Sequence, residues 1–268
     1  MAPPKTPRKR PRSYDAEKLR VAVLAQFAAV RETVEALTPE QLAAPTRLGD
    51  WTVRELAAHF TMAVGMLPRS LAEPAPDRAD LELLDYPKLT APAAPAVAER
   101  VQELARSAPL SELYAEVSAG LDRYLPAGLD AERPIAHRVG SMTLTTALVT
   151  RAVELAVHTD DLNDALPELG LPVERQLLAA ATRFLADALA VKAPGASTEV
   201  RIPPFAVVQC IEGPRHTRGT PPNVVETDPL TWLRLATGRT AWKTAVDDAL
   251  VSASGERADL EALLPIMA

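Results

Sequence analysis

Two stretches of this 268-residue chain hold ionisable side chains at helical spacing. In RAVELAVHTDDL (151–162), Arg151, Glu154 and His158 follow one another at intervals of three and four. On a helix, at roughly 100° per residue, Leu144, Leu148, Leu155, Leu162 and Leu166 share one face, with the three ionisable residues on or beside it. A face that turns toward a core cannot carry unpaired charge without a cost of several kcal/mol, so these groups need partners or a ligand. Glu154 and His158 are one turn apart, close enough to converge on a single ion. In LGDWTVRELAAHF (48–60), His59 lies at the border of a face made by Val53, Leu56, Ala57, Phe60, Val64 and Leu67. Two helices of one bundle would then turn His59, Glu154 and His158 inward. Three protein ligands and one open position is the arrangement of a catalytic zinc. Spacing alone leaves a second reading open, in which Arg151 pairs with Glu154 at i,i+3 and both histidines are hydrogen-bonded core residues.

The elements that would position these residues are marked out by proline. The chain has 25 prolines, and the Pro-free runs 12–38, 46–67, 135–166, 230–264 and 173–193 are where long helices can form. Leu19, Val23, Phe27 and Val30 have helical spacing in the first run, with Asp15 as a capping candidate. Thr38-Pro39-Glu40-Gln41 and Thr52-Val53-Arg54-Glu55 both read as capping boxes, the second opening a helix to about Leu67. Residues 68–95, rich in Pro, Ala and acid, read as a long loop. Helices are expected at 96–107, 111–125, Thr143–Leu166 and 173–191. After Pro194, the short β-branched runs TEVRI (198–202), FAVVQCI (205–211), NVVET (223–227) and ALVSASG (249–255) read as strands. Helical segments at 229–237, 241–248 and 256–264 complete this part. The fold class is therefore α+β: an all-helical part to about residue 170, divided here as 13–170, and a smaller α+β part over 171–268.

Composition narrows the function. A hydrophobic content of 47% and a formal net charge of −6 exclude an extended disordered chain. No apolar run approaches the ~18–20 residues of a membrane span. The leader MAPPKTPRKRPR holds five bases and no acid, so the rest of the chain is more acidic still, and no nucleic-acid partner is expected for it. Residues 1–12 read as a disordered basic tail without the apolar segment of a secretory signal. The single cysteine, Cys210, favours a reducing, cytoplasmic compartment. His137 and His216 fall in expected loops and receive no site role.

LGDWTVRELAAHF followed by RAVELAVHTDDL resembles the paired motifs of the mycothiol-dependent maleylpyruvate isomerase family: a Trp-Thr helix start leading to a His, then Arg-x-x-Glu-x-x-x-His-x-x-Asp on a later helix. VVETDPLTWLRLATGR (224–239) and ALVSASGERADLEALLP (249–265) are similar to bacterial relatives of sterol carrier proteins. The resemblance implies a DinB-like four-helix bundle, with the Pro-rich segment 68–95 as an insertion, followed by a smaller sterol-carrier-like α+β domain. It assigns His59, Glu154 and His158 as ligands of zinc or another divalent metal. It places Asp161 behind a ligand and Arg151 beside Glu154 or a substrate carboxylate. Trp51 falls in a packing position at the helix start, and Arg239 is a residue that reaches the site from the C-terminal part.

The implied function is that of a zinc-dependent isomerase or S-transferase that uses a low-molecular-weight thiol, mycothiol by resemblance, on a small electrophilic or apolar substrate. The 68–95 segment departs from the family pattern and leaves the substrate open. The other class of function is a non-catalytic carrier of lipid or another apolar ligand with a structural metal. For that reading, Trp232, Leu235, Trp242 and Val246 have the helical spacing of a pocket lining or of ordinary core.

Overall fold

A computed structural model of the chain describes residues 12–214 and 221–267. The leader 1–11 and His216 lie outside the described residues. Arg12 is ion-paired to Asp187 at 2.8 Å.

The N-terminal part is built on α1 (Ala16–Glu35), α3 (Val53–Ala72), α5 (Leu110–Tyr124) and α6 (Leu144–Ala165), with a single turn, α2 (Pro39–Leu42), before α3. The expected signals act where the sequence put them. Asp15 caps α1 by accepting from the Lys18 N–H at 3.0 Å, and Thr38 and Gln41 form the capping box of α2. Ahead of α3, the Glu55 carboxylate accepts from the Thr52 N–H at 2.9 Å, which satisfies a donor that the helix cannot. Thr143 caps α6 through the Thr146 N–H at 3.1 Å. α1 buries Leu19, Val23, Phe27, Val30 and Val34 and packs on α6, with Phe27 stacked on Tyr114 of α5, and α3 packs between α5 and α6. The α6 helix is buried on nearly every side, so the ionisable groups it carries are set into the centre of the bundle.

Segment 68–95 is not one long loop. The α3 helix runs through Pro68 to Ala72, and α4 (Pro87–Ser107) begins inside the segment with Pro92 and Pro95 within it. Both prolines are exposed, so the carbonyls they leave without a partner face water, where the lost hydrogen bond costs least. Ala91, Ala93, Ala94, Ala96 and Ala98 are the best helix formers, and packing of α4 on α3 supplies what local propensity withholds. Only residues 73–82, a 3₁₀ turn at Leu83–Asp85 and the turn at Tyr86 remain outside the helices.

The bundle also carries two strands where only helix and loop are expected. β1 (Pro134–His137) and β2 (Gly140–Thr143) form an antiparallel hairpin, with His137 paired to Gly140 across the turn. Gly140 has φ of 144°, and an added Cβ would meet the Asp80 carboxylate at 2.8 Å. That carboxylate accepts from the Ser141 N–H at 2.6 Å and from its hydroxyl at 2.9 Å. The hairpin is thus tied to the loop ahead of α4. Each strand has only four residues and little alternation, which is why β pattern does not announce it.

α7 (Arg175–Lys192) packs on α6 and α1 by one side and on the C-terminal sheet and α8 by another. The four expected strands are present as β3 (Thr198–Ile202), β4 (Ala206–Cys210), β5 (Val224–Thr227) and β6 (Val251–Ser254). The sheet order is β4-β3-β5-β6, antiparallel except for the parallel β3–β5 pair. α8 (Pro229–Ala236) and α9 (Trp242–Asp247) fill the connection between β5 and β6. The helix expected over 256–264 reduces to one 3₁₀ turn at Glu261–Leu263. Among the described residues, no helix is long and apolar enough to cross a membrane.

Candidate metal centre

The capped start of α3 and the buried course of α6 bring His59, Glu154 and His158 together, with ligand atoms of all three within 4.8 Å of one another. His59 Nε2 lies 3.2 Å from Glu154 Oε2, and His158 Nε2 lies 3.3 Å from the same oxygen. The two imidazoles meet edge to face with ring centroids 4.5 Å apart. Ligands about 2.0–2.1 Å from a tetrahedral ion stand about 3.3–3.4 Å apart, so this spacing and the donor set of two imidazoles and a carboxylate fit a divalent metal such as zinc. The three side chains line a cavity of about 340 Å³.

Each ligand candidate is held differently. His158 Nδ1 is 2.8 Å from Asp161 Oδ2, a contact that leaves Nε2 as the ring's free lone pair when Nδ1 carries the proton. Glu154 Oε1 accepts from the Tyr86 hydroxyl at 2.9 Å. That hydroxyl accepts in turn from Arg151 Nη2 at 2.8 Å, while Arg151 Nη1 donates to the Ala63 carbonyl at 2.9 Å. Arg151 and Glu154 are themselves 4.0 Å apart, so the expected pairing runs mainly through Tyr86. His59 packs against Trp51, ring centroids 5.3 Å apart, and its Nδ1 is buried without a hydrogen-bond partner. No second contact therefore sets the tautomer of His59 as Asp161 does for His158.

Electrostatics follows from these partners. Burial disfavours charge on Glu154, but hydrogen bonds from His158 and His59 and the nearby Arg151 outweigh it and hold the carboxyl well below its usual range. Burial lowers the His59 pKa, and the neighbouring His158 adds to the effect. His158 also loses solvation, yet Asp161 and Glu154 together raise its pKa. Asp161, fully buried, is held low against desolvation by His158 and Arg239.

Asp161 is also where the C-terminal part meets the site. Arg239 Nε and Nη2 donate to its two oxygens at 3.2 and 3.0 Å, and Arg239 lines the cavity together with Met267. Arg47, from the turn before α3, spans Asp161 at 2.7 Å and Asp160 at 2.6 Å. Asp160 in turn accepts from Arg234 of α8 at 2.6 Å. Five charged groups from four segments interlock behind His158.

All six sequence-derived site residues meet here, and several residues join them that the sequence reading passed over. Tyr86 stands at the start of α4, inside the segment read as loop, where no periodicity marked it. His137 and Arg138, at the hairpin turn, line the same cavity; burial and the nearby Arg151 push the His137 pKa down to about 4. The pairing of Asp160 with Arg47 and Arg234 had one trace in the sequence, two adjacent acids on the helix that carries Glu154 and His158. Trp232 and Leu235, by contrast, are buried core, and none of Trp232, Leu235, Trp242 and Val246 lines this cavity.

Known proteins resemble this chain in family and in fold. The family described as "Mycothiol maleylpyruvate isomerase N-terminal domain" matches residues 23–163, and "Bacterial SCP ortholog" matches residues 174–266. No curated protein matches the chain. Among solved structures, the crystal structure of the mycothiol-dependent maleylpyruvate isomerase aligns with a TM-score of 0.60 at 15% identity, covering 92% of this chain and 95% of that one. A histidine-to-alanine mutant of that enzyme aligns with a TM-score of 0.59 at 14% identity, with the same coverage. At such identities these structures speak to the fold.

Proposed function

The chain belongs to the mycothiol maleylpyruvate isomerase family, and from that membership and its buried ligand cluster we propose that it is a metal-dependent isomerase. In this reading it acts on a small electrophilic alkene with a low-molecular-weight thiol of the mycothiol type. His59, Glu154 and His158 hold zinc or another divalent ion. The observation that carries the reading is their convergence from two helices, within 4.8 Å of one another, on the wall of one cavity. A bound divalent ion there supplies the positive charge that lowers a thiol's pKa and keeps it a thiolate at neutral pH.

The chain's own residues prepare and confine the reaction. Asp161 fixes the His158 ring and, by its charge, strengthens that ring as a donor. Tyr86 and Arg151 fix the Glu154 carboxylate from the side away from the histidines. Arg239, anchored to Asp161, presents a guanidinium at the cavity wall where a substrate carboxylate or developing enolate can rest. Leu48, Trp51, Val157 and Met267 add apolar surface to the cavity around these groups. Addition of thiolate to the conjugated double bond converts it to a single bond, free to rotate. Departure of the thiolate then restores the double bond in the trans form and returns the thiol unconsumed. With an electrophile that carries a leaving group, the same site would act as an S-transferase.

Metal analysis of the purified protein beside His59→Ala and His158→Ala tests the foundation. Near-stoichiometric zinc in the wild type and its loss in both variants is expected. Equal, negligible zinc in all three overturns the metal-dependent reading. A cis–trans assay with and without thiol then separates an isomerase from a carrier of apolar ligands, which would convert nothing.

A further inference from the structure

The α4 helix carries an apolar stripe at every fourth residue, Leu89, Ala93, Val97, Val101 and Ala105. Val101 and Ala105 are buried against the bundle. The first three remain half-buried, and the surface that would cover them is the 340 Å³ cavity of the metal centre. Ala94, Ala98 and Thr90 line it beside them, so the whole contribution of α4 to the cavity is uncharged. The charged groups of the helix, Lys88, Glu99, Arg100, Glu103 and Arg106, are exposed. The histidines, Glu154 and Arg239 all come from other elements. The cavity thus has a polar, ligand-bearing side and an apolar wall about 12 Å long from Leu89 to Val97 at helical rise. A small dicarboxylic acid would satisfy the first and leave the second against water, whereas an apolar chain laid on the stripe would bury both surfaces.

We infer that this wall is a substrate subsite, and that the electrophile is amphipathic: a conjugated acid or amide at the ligand-bearing end, continued by an apolar arm of several carbons along α4. The reacting end rests on the isomerase reading above; the wall does not. In the reaction, thiolate adds to one alkene carbon and the electron pair moves toward the carbonyl. After rotation the pair re-forms the double bond and thiolate leaves, so no oxidant or reductant is consumed. The arm takes no part in bond making and acts by binding alone.

The test uses two series on the full-length protein. Unreactive N-methyl- and N-hexylsuccinamic acids are titrated calorimetrically, and the cis–trans isomerisation of N-methyl- and N-hexylmaleamic acids is followed with thiol present. A fully buried methylene strengthens binding about four-fold, so partial burial of the arm is expected to favour hexyl over methyl by ten-fold or more. Val97→Asp, which places a charge on the wall, and Ala93→Trp, which fills it, should each collapse that ratio toward one. Circular dichroism and zinc content are measured alongside to establish that both variants are folded and loaded. Equal affinity of the wild type for the two succinamic acids overturns the subsite, as does a hexyl preference that survives both variants. Hexyl preference without any isomerisation leaves the subsite standing and removes the isomerase reading; isomerisation without preference does the reverse.

Discussion

Asp161→Asn is the most informative single change, because one buried carboxylate serves two purposes. Asp161 has no solvent exposure and accepts four hydrogen bonds, from His158 Nδ1, Arg47 Nε, and Arg239 Nε and Nη2. Asparagine keeps the shape but offers one acceptor oxygen and turns an NH₂ toward donors that already point inward. Removing one member of a buried charged cluster typically costs ~3–5 kcal/mol. The lower end applies here, since Arg47 keeps Asp160 and Asp164 and Arg239 keeps the Thr237 carbonyl. A loss of about 3 kcal/mol corresponds to roughly 6–10 °C in melting temperature for a chain of this size. The same substitution frees the His158 ring, and loss of such an orienting partner weakens metal binding by about 10–100-fold. The control is Asp164→Asn, whose side chain is 46% exposed and touches Arg47 only at 3.3 Å; an exposed pair of this kind contributes about 0–1 kcal/mol. Thermal melts of the chelator-stripped proteins and competition for zinc read the two effects separately. If Asp161→Asn melts and binds zinc as Asp164→Asn does, the cluster does not hold His158 and the reasoning fails.

Tyr86→Phe removes the hydroxyl between Arg151 and Glu154 and leaves a buried guanidinium nitrogen unpaired; a loss of about 1–3 kcal/mol in urea unfolding is expected, and an unchanged midpoint would show the bridge to be idle. His137 titrates near 4 when folded against about 6.5 when unfolded, so the unfolded chain takes up the extra proton first as pH falls. Wild-type stability should therefore drop between pH 6.5 and 4 more steeply than that of His137→Gln; parallel profiles would contradict the buried, neutral imidazole. Pro95→Ala restores a donor on the exposed side of α4 and should raise stability by about 1–2 kcal/mol, measured by denaturant melts, whereas destabilisation would mean that α4 does not run through residue 95.

The ligand cluster was legible because it obeys local rules. His59 follows a capping box at a fixed distance, and Glu154 and His158 are separated by one turn, so helix geometry alone aligned them. What joined the two helices was not local, and there the sequence offered only the resemblance. The proline map succeeded for α1, α6 and α7 and failed for α4 for a physical reason. Pro92 and Pro95 lie on the solvent side of α4, where the freed carbonyls can reach water, and even the buried Pro68 is carried within α3. That error concealed Tyr86 and the apolar wall together. His137 was hidden differently: a four-residue strand in a hairpin pinned by Asp80 depends on a tertiary hydrogen bond, which no pattern of period two records.

The acids at the end of α6 show why a site of this kind needs its C-terminal part. Asp160 and Asp161 are adjacent, and two neighbouring carboxylates in a bundle core repel each other and pay heavily for lost solvation. Arg47 alone, which bridges them, brings one positive charge to two negative ones. The balance is made up from beyond the bundle, by Arg234 on Asp160 and Arg239 on Asp161. His158 and Arg239 hold Asp161 ionised against the cost of burial, and a protonated Asp161 would no longer strengthen the His158 ring as a donor. Arg239, from the C-terminal part, therefore bears on His158 at one remove, through a carboxylate that it helps keep charged.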